Sequence, residues 1–309
     1  MIVYDAHSHI GIDSFHPLEG RIGDYFSLAK RNGVVIANIM AVPSPVYKIG
    51  GIEKQPLFWE VSGNTFSYYS REKVGGNWII KSKNPANPYR EYNNLLEDFL
   101  KGITQPNLKF VPLMHPLLDT PEQLEEVVSK GPIAIKIHGI ACGIIPEEVP
   151  SHILEIIGKS SIPIIVHTDN APPSFKGPID YLRRCNGAIN WIRLFEKKGV
   201  RGYITHGAYL CPESFKHLNR SSQFLLGIGP ELLIETQEKY LLQKKPFLKK
   251  VIEDVDINNI AFDIDYPWNI KSLDHLEIDP SPVQRLFNLD LRQEDLEKIL
   301  YFNAKRYFN

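Results

Sequence analysis

Eight short apolar runs, each parted from the next by a polar stretch of helical character, constrain this chain more than any other feature. They are Ile2–Ile10, Gly33–Val42, Leu108–His115, Ile133–His138, Ile162–His167, Val200–His206, Phe224–Gly229 and Ile260–Asp265. Helices are expected near Gly20–Asn32, Tyr89–Gly102, Thr120–Gly131, Pro150–Ser160, Ile179–Lys198, Pro212–Asn219 and Glu231–Asp254. Two shorter ones, Pro282–Asn288 and Arg292–Asn303, close the chain. The third has a clear start signal: Thr120 at the N-cap, Pro121 at the first helical position and Gln123 completing a capping box. Strands alternating with helices argue for a parallel sheet, and eight strands close a (β/α)₈ barrel. A doubly wound open sheet is the competing arrangement, and no Gly-rich phosphate turn follows the first strand to support it. A chain of 309 residues fits one such barrel as a single domain spanning 1–309.

The alternation breaks once. Residues 45–89 are rich in Gly, Asn, Pro and aromatics (Phe58, Trp59, Phe66, Tyr68, Tyr69, Trp78) and show no clean period. So long an irregular insertion after the second strand is expected to be a lid or binding loop, or a hairpin subdomain covering the active-site end.

Each apolar run ends in polar residues. The first ends in His7 and His9, the third in His115, the fourth in Lys136 and His138. The fifth ends in His167-Thr168-Asp169, the sixth in His206, and the eighth in Asp263 and Asp265. Six of the ten histidines therefore stand at the carboxyl ends of strands, which in a barrel form the one rim where active sites are built. Independently hydrogen-bonded core histidines have no reason to collect there. In Asp5-Ala6-His7-Ser8-His9, residues two apart share a strand face, so His7 and His9 can grip one metal ion, with Asp5 orienting a ring. Read alone, a His-x-His on a strand is more often a hydrogen-bonded or solvated pair than a metal grip.

Together these segments resemble the amidohydrolase superfamily, in particular the branch containing aminocarboxymuconate-semialdehyde decarboxylase and many metal-dependent hydrolases. The resemblance is carried by Asp5-Ala6-His7-Ser8-His9, Ile135-Lys136-Ile137-His138, Ile165-Val166-His167, Thr205-His206-Gly207, Phe262-Asp263-Ile264-Asp265-Tyr266-Pro267-Trp268 and the closing Asn303-Ala304-Lys305-Arg306-Tyr307-Phe308. It implies that His7, His9, His167 and Asp265 hold one divalent metal, expected to be zinc, and that His206 lies beside the reacting group. Metal-bound water of lowered pKa would attack a carbonyl, with Asp265 taking its proton and His206 stabilising the developing oxyanion. Position 263 departs from the branch, which commonly has glycine there. Asp263 either adds charge to the site or braces it. Lys136 is open among a carboxylated bridge between two metals, a contact to a substrate carboxylate and a structural ion pair. His138 is open between a substrate contact and a hydrogen-bonded core histidine.

The resemblance accommodates a hydrolase of amides, esters or lactones, and equally a non-oxidative decarboxylase on the same metal site. A decarboxylase would need cations for a carboxylate, and Arg21, Lys136 and Arg183 are candidates. A non-catalytic metal-binding barrel is the third reading. The substrate is expected to be a small molecule. A net charge of −1 argues against nucleic acid, and no apolar run is long enough to span a bilayer. Three cysteines without paired spacing and no basic leader before the first strand set the expectation of a cytoplasmic protein. A homo-oligomer is compatible with all of this.

Overall fold

The computed structural model describes residues 1–14, 19–62, 65–168, 185, 187–229, 247–269 and 278–309. Asp169, Arg183, the first turns of the helix expected at Ile179–Lys198 and the front of that expected at Glu231–Asp254 lie outside the described residues. The strands, in chain order, are β1 (Val3–Asp13), β2 (Glu19–Gly20), β3 (Val34–Ala41), β4 (Pro45–Ile49), β5 (Ile52–Ser62), β6 (Thr65–Val74) and β7 (Asn77–Lys83). They continue with β8 (Asn107–Val111), β9 (Ile135–Ile137), β10 (Ile164–Val166), β11 (Gly202–Ile204), β12 (Phe224–Ile228) and β13 (Ile260–Phe262).

Parallel pairing links β1 to β3 and β3 to β8, and separately runs from β9 through β10, β11 and β12 to β13. Two seams join these halves. Leu113 bridges to Lys136, with Met114 N–H donating to Lys136 O at 2.9 Å. At the other side Asp265 N–H donates to His7 O at 2.9 Å, and His9 N–H to Tyr266 O at 2.7 Å. The eight expected strands thus make the wall of a barrel.

The inward side chains form a buried apolar floor: Tyr4, Ala6, Met40, Val111, Ala134, Ile165, Tyr203, Leu225 and Ala261, capped by Ala304, Tyr307 and Phe308. The closing helical run reaches further than expected, from Gln293–Glu297 through a wider turn at Lys298–Phe302 to Asn303–Phe308, because Tyr307 and Phe308 plug the barrel's lower end. The capping box after Thr120 forms by half. Thr120 Oγ1 accepts from Gln123 N–H at 3.3 Å, but the Thr120 N–H is taken by Asn87 Oδ1 at 2.9 Å, which leaves the Gln123 side chain no role there.

Strand β1 departs from plain alternation. Its pairing with β3 runs Asp5↔Ala37 and then Ser8↔Ile39, three residues against two, so β1 carries a bulge. The bulge keeps Ala6 in the floor, turns His7 and His9 inward and leaves Asp5 on the opposite face. Asp5 therefore does not orient an imidazole ring, as its spacing suggests. Buried between the first helix and the seam, it accepts from Ser8 Oγ (2.6 Å), Tyr25 OH (2.7 Å), Ile264 N–H (2.9 Å) and His7 N–H (3.4 Å). Burial raises its carboxyl to about 6 despite those donors.

The stretch that lacks a readable period is regular in the structure. β4 to β7 form an antiparallel arm continuing from β1. Alternation is hidden because both faces carry large side chains. Trp59, Phe66 and Tyr68 pack on the barrel, while Arg71 on the other face lies over Phe58 (4.0 Å) and Trp78 (4.8 Å). Irregular pairing between Gln55 and Phe58, and between Ser70 and Arg71, shifts the register further. Gln55 roots the arm, its Nε2 donating to Ser14 Oγ at 2.7 Å.

Replacing Asp5 by Ala strands the buried Tyr25 hydroxyl and Ile264 N–H. The expected cost is on the order of 3 kcal/mol of unfolding free energy, read as a lowered denaturation midpoint at unchanged slope.

Candidate active site

The seam between β13 and β1 brings both ends of the chain onto one spot above the apolar floor. His7 Nε2 lies 3.0 Å from His9 Nε2, and His7 Nδ1 and His9 Nε2 lie 3.4 and 3.6 Å from Asp265 Oδ1. His206 Nδ1 is 3.8 Å from Asp265 Oδ2. From β10, His167 Nδ1 meets His206 Nε2 at 3.0 Å. From β9, Lys136 Nζ sits 2.8 Å from His7 Nε2, and the His138 ring stacks on His167 with centroids 3.8 Å apart. His7, His9, Lys136, His138, His167, His206, Asp263 and Asp265 all fall in this cluster or against it. Among the described residues, His7, His206 and Asp265 each offer a potential ligand atom within 4.8 Å of the others. His206 thus stands among the possible donors.

Backbone geometry at the strand ends is specialised. His206 and Asp265 have φ of 53° and 52°, the left-handed region that non-glycine residues enter at a cost of about 1–3 kcal/mol. Both therefore turn off their strands at the point where their side chains enter the cluster.

Burial sets the charge states. His7, His9 and His167 are pushed well below the ordinary histidine range, first by desolvation and then by neighbouring cationic groups; His206 is pushed down to about 3 by the same causes. These rings are neutral at pH 7. The tautomer of His9 is fixed: its Nδ1 is 2.8 Å from Ala41 O, a carbonyl that can only accept, so Nδ1 carries the proton and Nε2 presents a lone pair. That lone pair faces the Asp265 carboxylate. His7 Nδ1, also buried, has no hydrogen-bond partner among the described residues. His7 Nε2, 3.0 Å from His9 Nε2, is the ring atom placed to share the His9 lone pair, and a cation could take it as well. A set of imidazoles and a carboxylate, with one ring backed by a carbonyl, is the donor chemistry that borderline divalent metals take. The residues present therefore fit such an ion.

Lys136 is the cation the chain itself supplies. It is fully buried, and desolvation draws its ammonium down to about 7 while Asp265 and Asp263 oppose the shift. Asp263 lies one layer below Asp265 and accepts from Tyr203 OH at 2.8 Å. Its space exists because Gly227 and Gly229 carry no side chain: a Cβ on either would lie within 2.5 Å of the Asp263 carboxylate. Tyr203 escaped the sequence reading, although glycines two apart on one strand are a signal of close approach. His138 Nδ1 accepts from Ala141 N–H at 3.2 Å, capping the one-turn helix Gly139–Cys142. Arg21 is exposed and paired with Glu19 at 2.7 Å. His115 is structural: buried, with Nδ1 accepting from Leu117 N–H at 3.2 Å.

The sign of the acid response follows from these shifts. In the unfolded chain His7, His9, His115, His167 and His206 take up protons near pH 6.5, whereas in the fold they resist until well below it. Asp5 and Asp119, raised to about 6 and about 7, act oppositely, but five imidazoles outnumber two carboxyls. The unfolded state then binds more protons, so metal-free protein loses stability as pH falls from about 6.5 to 5. Thermal unfolding across that window should show a falling Tm.

No protein-family model and no curated protein matches the chain. Solved structures do. One from Staphylococcus aureus, assigned as an amidohydrolase, is 15% identical with TM-score 0.62, over 100% of this chain and 99% of that one. The 2,6-dihydroxybenzoate decarboxylase from Rhizobium is 13% identical with TM-score 0.62, over 99% and 98%. A 5-carboxyvanillate decarboxylase from Novosphingobium aromaticivorans, solved with manganese and a nitrobenzoic acid, is 12% identical with TM-score 0.60, over 99% and 96%. The chain has the barrel fold of these amidohydrolase and decarboxylase structures.

Proposed function

We propose that this chain is a metal-dependent hydrolase acting on an amide, ester or lactone carbonyl of a small molecule. The observation that carries the reading is the convergence of a fixed His9 lone pair, His7, His206 and the Asp265 carboxylate on one buried spot. His7, His9, His167 and Asp265 are the proposed ligands, with zinc the ion best matched to imidazole and carboxylate donors. When bound, the ion supplies Lewis acidity, which makes water a nucleophile at neutral pH and polarises a carbonyl.

The chain's own groups do the rest. Asp265 receives the proton of the attacking water at a carboxylate oxygen and returns it to the leaving group. His206, neutral and already oriented by His167, donates to the carbonyl oxygen as charge develops there. Lys136 and Asp263 set the charge below, where Lys136 can meet a substrate carboxylate. His138 lines the rim. The arm, residues 45–89 in the sequence reading, is proposed to cover this end of the barrel, since Trp59 and Tyr68 reach the turn that follows β9.

A second reading, a non-oxidative decarboxylase, is favoured by the buried Lys136 cation beside the ligand set, the kind of group that holds a substrate carboxylate. No described helix is long and apolar enough to cross a membrane.

Elemental analysis of purified protein should find about one divalent ion per chain, and His167→Ala should lose most of it. About two ions would point to a carboxylated Lys136 bridging a pair. On a panel of lactones, amides and aromatic carboxylates, His206→Asn should lower kcat by about 10²–10³. Base consumption marks hydrolysis and carbon dioxide release marks decarboxylation. Metal-loaded protein that turns over nothing, with His206→Asn altering only binding, would leave a non-catalytic barrel.

A further inference from the structure

The arm meets the cluster through one short turn. Helix Gly139–Cys142 follows β9 directly, and a helix this short leaves carbonyls at its end without partners inside it. The arm takes one of those oxygens and that of the C-cap residue: Trp59 Nε1–H donates to Ala141 O at 3.0 Å, and Tyr68 OH donates to Gly143 O at 3.0 Å. Gly143 sits in the left-handed region, φ 60°, and a Cβ there would lie within 2.4 Å of the Phe66 ring. The turn is thus shaped to take the arm at close range. Cys142 anchors its other side, with Sγ donating to Met114 O at 3.6 Å.

The N-cap of the same turn is His138, and the His138 ring lies nearly parallel to His167, 3.8 Å away with 13° between planes. His167 in turn contacts His206. A continuous path of hydrogen bonds and ring contact therefore runs from the arm through the turn to the donor set.

We propose that Trp59 and Tyr68 are positioning residues: by holding the carbonyl end of the Gly139–Cys142 turn, they fix the His138 ring and, through its stack, aim His167 at the divalent ion. This rests on the metal reading above. It assigns the arm a part in building the metal centre, in addition to covering it. Trp59→Phe and Tyr68→Phe remove one donor each and keep the aromatic packing.

The test is metal affinity, measured by competition with a chromophoric chelator for zinc and cobalt, with Tm followed alongside. Each variant should bind about threefold to tenfold more weakly, the range that loss of one net hydrogen bond corresponds to. In a His138→Asn background, where the cap acceptor is kept but no ring remains to stack, Tyr68→Phe should cause no further weakening. Unchanged affinity in both single variants overturns the proposal. So does an equal loss from Tyr68→Phe with and without the His138 ring, which is the result of general loosening. If Trp59→Phe does not fold, Tyr68→Phe, which deletes one oxygen, decides alone. Wild-type protein that binds neither ion overturns the metal reading itself, and this inference with it.

Discussion

Two backbone hydrogen bonds, Asp265 N–H to His7 O and His9 N–H to Tyr266 O, tie the last barrel strand to the first. Everything placed at the rim depends on that seam, because the converging side chains come from positions as far apart as 7 and 265. The seam is braced from outside by Asp5, which receives Ile264 N–H, and by Ser8, whose Oγ accepts from Tyr266 N–H at 3.2 Å. Below it the apolar floor excludes water. Above such a floor the effective dielectric is low, so charges and dipoles that would be screened in solvent act at full strength on one another.

The barrel was legible because strands buried on both faces must be apolar along their length, and a polar group at their end stands out against that background. His7, His9, His138, His167, His206 and Asp265 all declare themselves in this way. Asp5 did not, because one extra residue in β1 reverses which face it occupies, and spacing alone carries no trace of a bulge. The pairing of Tyr203 with Asp263 was hidden for another reason. Their contact depends on glycines of a third strand, so no two of the residues are informative without the other. The arm's regularity was hidden because it has no simple inner and outer face. Trp59 and Tyr68 serve the barrel while Phe58 and Trp78 bracket Arg71, so aromatics fall at both parities.

The cluster is costly to the fold. It places histidines in a desolvated space where none can protonate near neutral pH, and it holds His206 and Asp265 in left-handed backbone. Packed floors and sheet ladders over-determine those conformations, which is the condition under which such strain persists. A barrel rim supplies it. Each strand is held by two neighbours below, leaving its last residue to turn inward without unravelling the wall.

Charge completes the case for a cation. Asp263 and Asp265 bring two buried carboxyl groups to the cluster, and Lys136 brings one buried amine. Asp263 is partly satisfied by the Tyr203 hydroxyl, and Lys136 Nζ is engaged by His7. Asp265 Oδ1 lies 3.4 Å from His7 Nδ1 and 3.6 Å from the His9 nitrogen, whose only proton points the other way, toward Ala41 O. A proton added to His9 would relieve that contact, but burial and the nearby ammonium make protonation unfavourable at neutral pH. A divalent ion would relieve it without desolvating a new imidazolium, because it would accept the imidazole lone pairs. The burial that makes these histidines poor bases would leave their lone pairs open to such an ion.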